Sequence, residues 1–84
     1  MPTKEAFIAA YTELIRTHCA WASDTGRLAA FVQTVRNTIV ADGHLPGGGV
    51  WGFDASSAIQ RQAWQLAGGK GRLTLKGLRA LPQS

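Results

Sequence analysis

The sequence predicts an all-α fold: a compact orthogonal bundle of three main helices plus a short C-terminal helix, with a glycine-rich loop between helices 2 and 3. Three observations predict it. Apolar residues recur near a 3.6-residue period in three separate stretches, a Thr, Ser or Asp precedes each helix, and Gly or Pro follows it. At 84 residues the chain suits one helical domain spanning 1–84.

The first helix is expected over residues 4–22. At about 100° per residue, Phe7, Ile8, Tyr11, Leu14, Ile15 and Trp21 share one broad face, with Glu5, Glu13 and Arg16 opposite. Thr3 is the expected N-cap, and Glu5 suits the positive helix end. His18 projects near the middle of the apolar face, so a buried or half-buried structural histidine is expected, one whose protonation would loosen the core in acid.

Ser23-Asp24-Thr25-Gly26 interrupts the pattern and joins two helices into a hairpin, with Ser23 or Asp24 capping the second. In that helix Leu28, Phe31, Val32, Val35 and Ile39 form the cleanest amphipathic stripe of the chain. Gly43 is placed to end it. Residues 43–53 then form the extended loop, rich in glycine but carrying Leu45, Val50, Trp51 and Phe53. Such apolar content predicts that Trp51 or Phe53 anchors the loop.

Asp54 is the expected cap of a third helix over 55–67, with Ile59, Ala63, Leu66 and Ala67 facing inward. Trp64 lies off that stripe and is expected to pack on a different neighbour. Gly68-Gly69 ends the helix, and Thr74 caps a last helix over 75–81 that docks through Leu75, Leu78 and Leu81 and stops at Pro82.

Composition excludes several classes. No uninterrupted apolar run is long enough for a membrane span or a secretory leader. Cys19 is the single cysteine and His18 and His44 are the only histidines, so neither an intrachain disulfide nor a Cys/His zinc set is expected. A reducing, cytoplasmic setting fits. No cofactor or metal is expected.

Enzyme motifs fare no better. Gly47-Gly48-Gly49-Val50-Trp51-Gly52 matches G-x-G-x-x-G in letters only, because a helix and His44-Leu45-Pro46 precede it where the motif needs a strand. Gly68-Gly69-Lys70-Gly71-Arg72 lacks the Gly-Lys-Ser/Thr order of a phosphate loop. His18 and Cys19 are consecutive and diverge by about 100° on a helix, so they form no dyad by adjacency. Asp42, His44 and Ser56 or Ser57 have no pattern that assembles them. The chain is therefore expected not to be an enzyme.

Charge is the informative feature. Residues 1–54 carry a net −1, whereas residues 55–84 hold Arg61, Lys70, Arg72, Lys76 and Arg79 with no acid, a net +5. If the last helix reaches back one turn, Arg72, Lys76 and Arg79 share a face about 120° from the leucines. A helix, a glycine turn and a short helix presenting cations outward is the outline of a helix-turn-helix reader, although the turn from Gly68 to Leu73 is longer than usual. Nucleic-acid binding is thus expected through Lys70, Arg72, Lys76 and Arg79. The same pattern also suits a solvated face that only keeps the protein soluble. The alternative is a protein-interaction or assembly role in which Trp51 and Trp64 meet a protein partner or a second copy.

The stretch from Trp64 to Pro82, including Gly68-Gly69-Lys70-Gly71-Arg72-Leu73-Thr74-Leu75-Lys76-Gly77-Leu78-Arg79, resembles the tail of small uncharacterised proteins of bacterial genomes and prophages. The likeness covers the last quarter of the chain. It implies a phage-related accessory role and no particular activity.

Overall fold

The computed structural model describes residues 2–40 and 57–83. Within them the chain is helical and has no strand. Helix α1 spans Lys4–His18, a 3₁₀ turn spans Ala20–Ser23, α2 spans Thr25–Val40, α3 spans Ser57–Leu66 and α4 spans Leu75–Arg79. The end of α2 at Gly43, the loop with Trp51 and Phe53, the cap expected at Asp54, and Asp42, His44 and Ser56 lie outside the described residues.

Helix α1 begins where Thr3 leaves the extended backbone, and its hydroxyl accepts from Ala6 N. The two preceding amides of the first turn are met from the far end of the chain. Lys4 N donates to Pro82 O at 2.8 Å and Glu5 N to Gln83 O at 3.1 Å, while Phe7 N closes the first helical bond to Thr3 O. The amides of Lys4, Glu5 and Ala6, which helix geometry leaves without intrahelical acceptors, therefore all have partners.

The helix stops at His18 rather than continuing to residue 22. Cys19 is extended (φ −114°, ψ 119°) and its amide closes on Ile15 O. The chain then turns through Ala20–Ser23, and Asp24 Oδ1 caps α2 by accepting from Arg27 N at 3.1 Å. The early stop changes the outlook for His18, which is exposed at the helix end instead of buried between Leu14 and Phe7. The expected loosening of the core by its protonation falls away with it.

The rest of the inner face of α1 is as expected: Phe7, Ile8, Tyr11, Leu14 and Ile15 are buried. They meet Phe31, Val35 and Ile39 of α2, with Ala63 and Trp64 of α3 and Leu78 of α4. The aromatic rings form a continuous chain. Phe7 and Tyr11 lie 5.5 Å apart, Tyr11 and Phe31 meet edge-on at 5.2 Å, and Trp21 packs on Phe31 at 5.4 Å. The Arg27 guanidinium covers Trp21, 5.2 Å from the ring centre, a cation–π contact. Burial raises the Tyr11 hydroxyl to a pKa of about 12, although that oxygen accepts from Gln60 Nε2 at 3.1 Å.

Helix α3 buries Ala63 and half-buries Ile59 and Ala67, but Leu66 is 63% exposed. The period places Leu66 correctly around the axis. It stands in the last turn, where no other described element covers it.

Helix α3 ends in a Schellman motif. Gly68 takes φ +90°, its amide donates to Gln65 O at 3.0 Å, and Gly69 N donates to Trp64 O at 2.9 Å. Thr74 caps α4 by accepting from Gly77 N at 3.0 Å. Leu78 is fully buried.

Candidate nucleic-acid interface

The segment from Gly68 to Arg79 is held by four devices. The Schellman turn folds Gly68 and Gly69 back over α3, and Gly68 packs against Pro2, whose ring and backbone would lie 3.9–4.0 Å from a β-carbon placed there. The backbone of Gly69 rests on the indole of Trp64. The Thr74 hydroxyl fixes the start of α4. At the far end Arg79 Nη2 donates to Thr38 O at 3.0 Å.

That last bond corrects the expected cationic face. Arg79 does not point outward with Lys76; it is half-buried and turned onto α2. The acceptor, Thr38 O, lies in the C-terminal half of α2, so the bond ties α4 to that helix. Arg72 departs from the expected face too. Thr74 is extended (φ −134°, ψ 153°), so α4 does not reach back to residue 72, and Arg72 belongs to the turn rather than to a helical stripe.

Lys70, Arg72 and Lys76 are all exposed. Arg61 joins them as an exposed cation on α3, on the outward face it shares with Gln62 and Gln65. None of these four pairs with a carboxylate among the described residues. The described acids are engaged elsewhere: Glu5 with Arg36, Glu13 with Arg16, and Asp24 as the cap of α2. The result is a surface segment of one sign, built from a glycine turn and the first turn of α4.

Helix α4 has five residues, a length of about 7.5 Å at 1.5 Å per residue. A recognition helix of a helix-turn-helix lies along the major groove and presents several side chains to base edges. One and a half turns do not provide that. The arrangement suits contact with backbone phosphates, which needs only exposed cations on a rigid support.

Trp64, expected to meet a partner, is only 6% exposed. Two glycines account for this: Gly69 lies against the ring, and a β-carbon on Gly77 would lie 3.9 Å from Trp64 Cη2. Trp64 joins the same core cluster as Ala63 while also resting on Gly69 and Gly77, so it is buried rather than placed in an interface. Trp51, the other proposed contact, lies outside the described residues.

Among the described residues no helix is long and apolar enough to cross a membrane, and no three His, Cys, Asp or Glu residues cluster as a metal-binding set. No family model, curated protein or solved structure matches this chain.

Proposed function

We propose that this chain is a small, non-enzymatic helical module that binds nucleic acid weakly through backbone phosphates, using Lys70, Arg72 and Lys76 with support from Arg61. The observation that carries the reading is the exposure of three cations on one capped, acid-free segment. Phosphate contacts of this kind give affinity without sequence readout, and three or four of them give only modest binding at physiological salt. Arg79 has a different task, holding α4 to the end of α2.

A role in protein interaction or assembly draws less support. It was to rest on Trp64 and Trp51, and the ring of Trp64 is enclosed. The exposed Leu66 is a single residue, and scattered surface leucines are ordinary.

The test is fluorescence anisotropy with a short labelled duplex at about 50 mM salt. Wild-type protein is expected to bind, and the triple variant Lys70→Ala, Arg72→Ala, Lys76→Ala to lose most of the affinity while keeping its helical circular dichroism. A triple variant that binds as well as wild type would refute the assignment.

A further inference from the structure

A separate feature involves none of the cations above. The first two turns of α1, the second half of α2 and the C-terminal tail enclose a cleft of about 420 Å³. That volume falls within the range of small-molecule sites. Ile8 and Ile39, 5% and 2% exposed, form its floor, and the aliphatic stems of Lys4 and Arg36 extend the apolar wall. Around them stand the amides of Gln33, Asn37 and Gln83 and the cationic side chains of Lys4 and Arg36.

The cations are positioned rather than loose. Lys4 Nζ donates to Leu81 O, and Arg36 Nη1 pairs with Glu5. A guanidinium carries five N–H donors in a planar fork, so the pairing with Glu5 leaves others for a ligand. Gln33 Nε2 donates to Asn37 Oδ1 at 3.0 Å, which ties the two amides together at the rim. Among the described residues two cations face one carboxylate, an excess of positive charge over an aliphatic base.

We propose that this cleft binds a small aliphatic carboxylate, its hydrocarbon part on Ile8 and Ile39 and its carboxylate between Arg36 and Lys4. The apolar base argues against a bare, strongly hydrated anion, which would gain nothing from the isoleucines. The cations argue against a neutral or cationic ligand.

Octanoate is the probe, followed by amide-resolved NMR of the full chain, with octanol and octylammonium as controls. Saturable shifts centred on Ile8, Arg36 and Ile39 are expected with octanoate, and binding about tenfold weaker with octanol. Arg36→Met is expected to weaken octanoate to a similar degree. Because that change also breaks the pair with Glu5, Gln33→Glu serves as a second variant: residue 33 is exposed on α2, and a carboxylate at the rim repels the ligand without touching the core. The absence of shifts at about 5 mM octanoate, equal shifts with octylammonium, or shifts spread over the whole surface would each overturn the proposal. So would a folded Gln33→Glu protein that binds octanoate unchanged.

Discussion

Gly69 lies flat on the indole of Trp64: a β-carbon at position 69 would stand 2.2 Å from Trp64 Cε2 and 2.3 Å from Cδ2. No real β-carbon tolerates such a distance, and the obstacle is a buried ring rather than a flexible tip. The same glycine donates its amide to Trp64 O. One residue therefore ends α3, roofs its tryptophan and launches the cationic turn.

Replacing Gly69 with Ala is expected to destabilise the protein by about 2–3 kcal/mol, the upper part of the usual range for overpacking. Gly71 is the control. It has φ +67° and open space around it, so Gly71→Ala is expected to cost about 1 kcal/mol from backbone conformation alone. Urea denaturation of both variants checks this. A Gly69→Ala protein as stable as Gly71→Ala would contradict the described packing of Trp64.

Truncation after Leu81 removes the carbonyls of Pro82 and Gln83 that accept from Lys4 and Glu5. A loss of about 1–2 kcal/mol is expected, since water replaces these partners only in part. Hydrogen exchange is the sharper readout. The amides of Lys4 and Glu5 should exchange faster in the truncated chain, while those of the middle of α2 change only with global stability.

Arg79 and Lys76 are expected to separate cleanly. Arg79→Ala removes the half-buried bond to Thr38 O and is expected to lower stability by about 1–3 kcal/mol. Lys76→Ala should change stability by no more than about 0.5 kcal/mol, as for most surface substitutions, yet weaken duplex binding. Denaturation and anisotropy measured on the same two proteins check both halves. A destabilised Lys76→Ala or a neutral Arg79→Ala would reverse the roles assigned here.

Tyr11 sets an alkaline limit on the fold. Its folded-state pKa of about 12 lies above the ordinary value of 10.0 because burial disfavours the phenolate. The folded protein therefore holds this proton more tightly than the unfolded chain. The resulting stability is complete below pH 10.0 and is lost as pH rises through about 12. Urea midpoints between those pH values should fall for wild type and fall less for Tyr11→Phe. Equal slopes for the two proteins would show that Tyr11 does not carry the effect.

Much of this architecture was legible in the sequence because it is local. The stripe from Leu28 to Ile39, the caps at Thr3, Asp24 and Thr74, and the stop at Gly68-Gly69 depend on residues within a few positions of one another. What escaped the sequence depends on distant partners. Periodicity put His18 on the apolar face of α1, but it does not record that the helix ends there, and it put Leu66 inward without showing that nothing covers it. Arg79 sits on the cationic side of an ideal wheel, yet the carbonyl that claims it lies 41 residues earlier. Position 77 suits glycine because a β-carbon there would lie 3.0 Å from the Thr74 hydroxyl that caps the helix. The cleft had no sequence signal, because Lys4, Arg36 and Gln83 come from three separate segments.

The central claim, that Lys70, Arg72 and Lys76 grip phosphates, is tested most directly by the salt dependence of duplex binding. Three contacts give an expected slope of about −3 in log K against log salt, with a shallower slope for each cation removed. Binding that is insensitive to salt, or a slope that stays the same when all three are replaced by alanine, would contradict it.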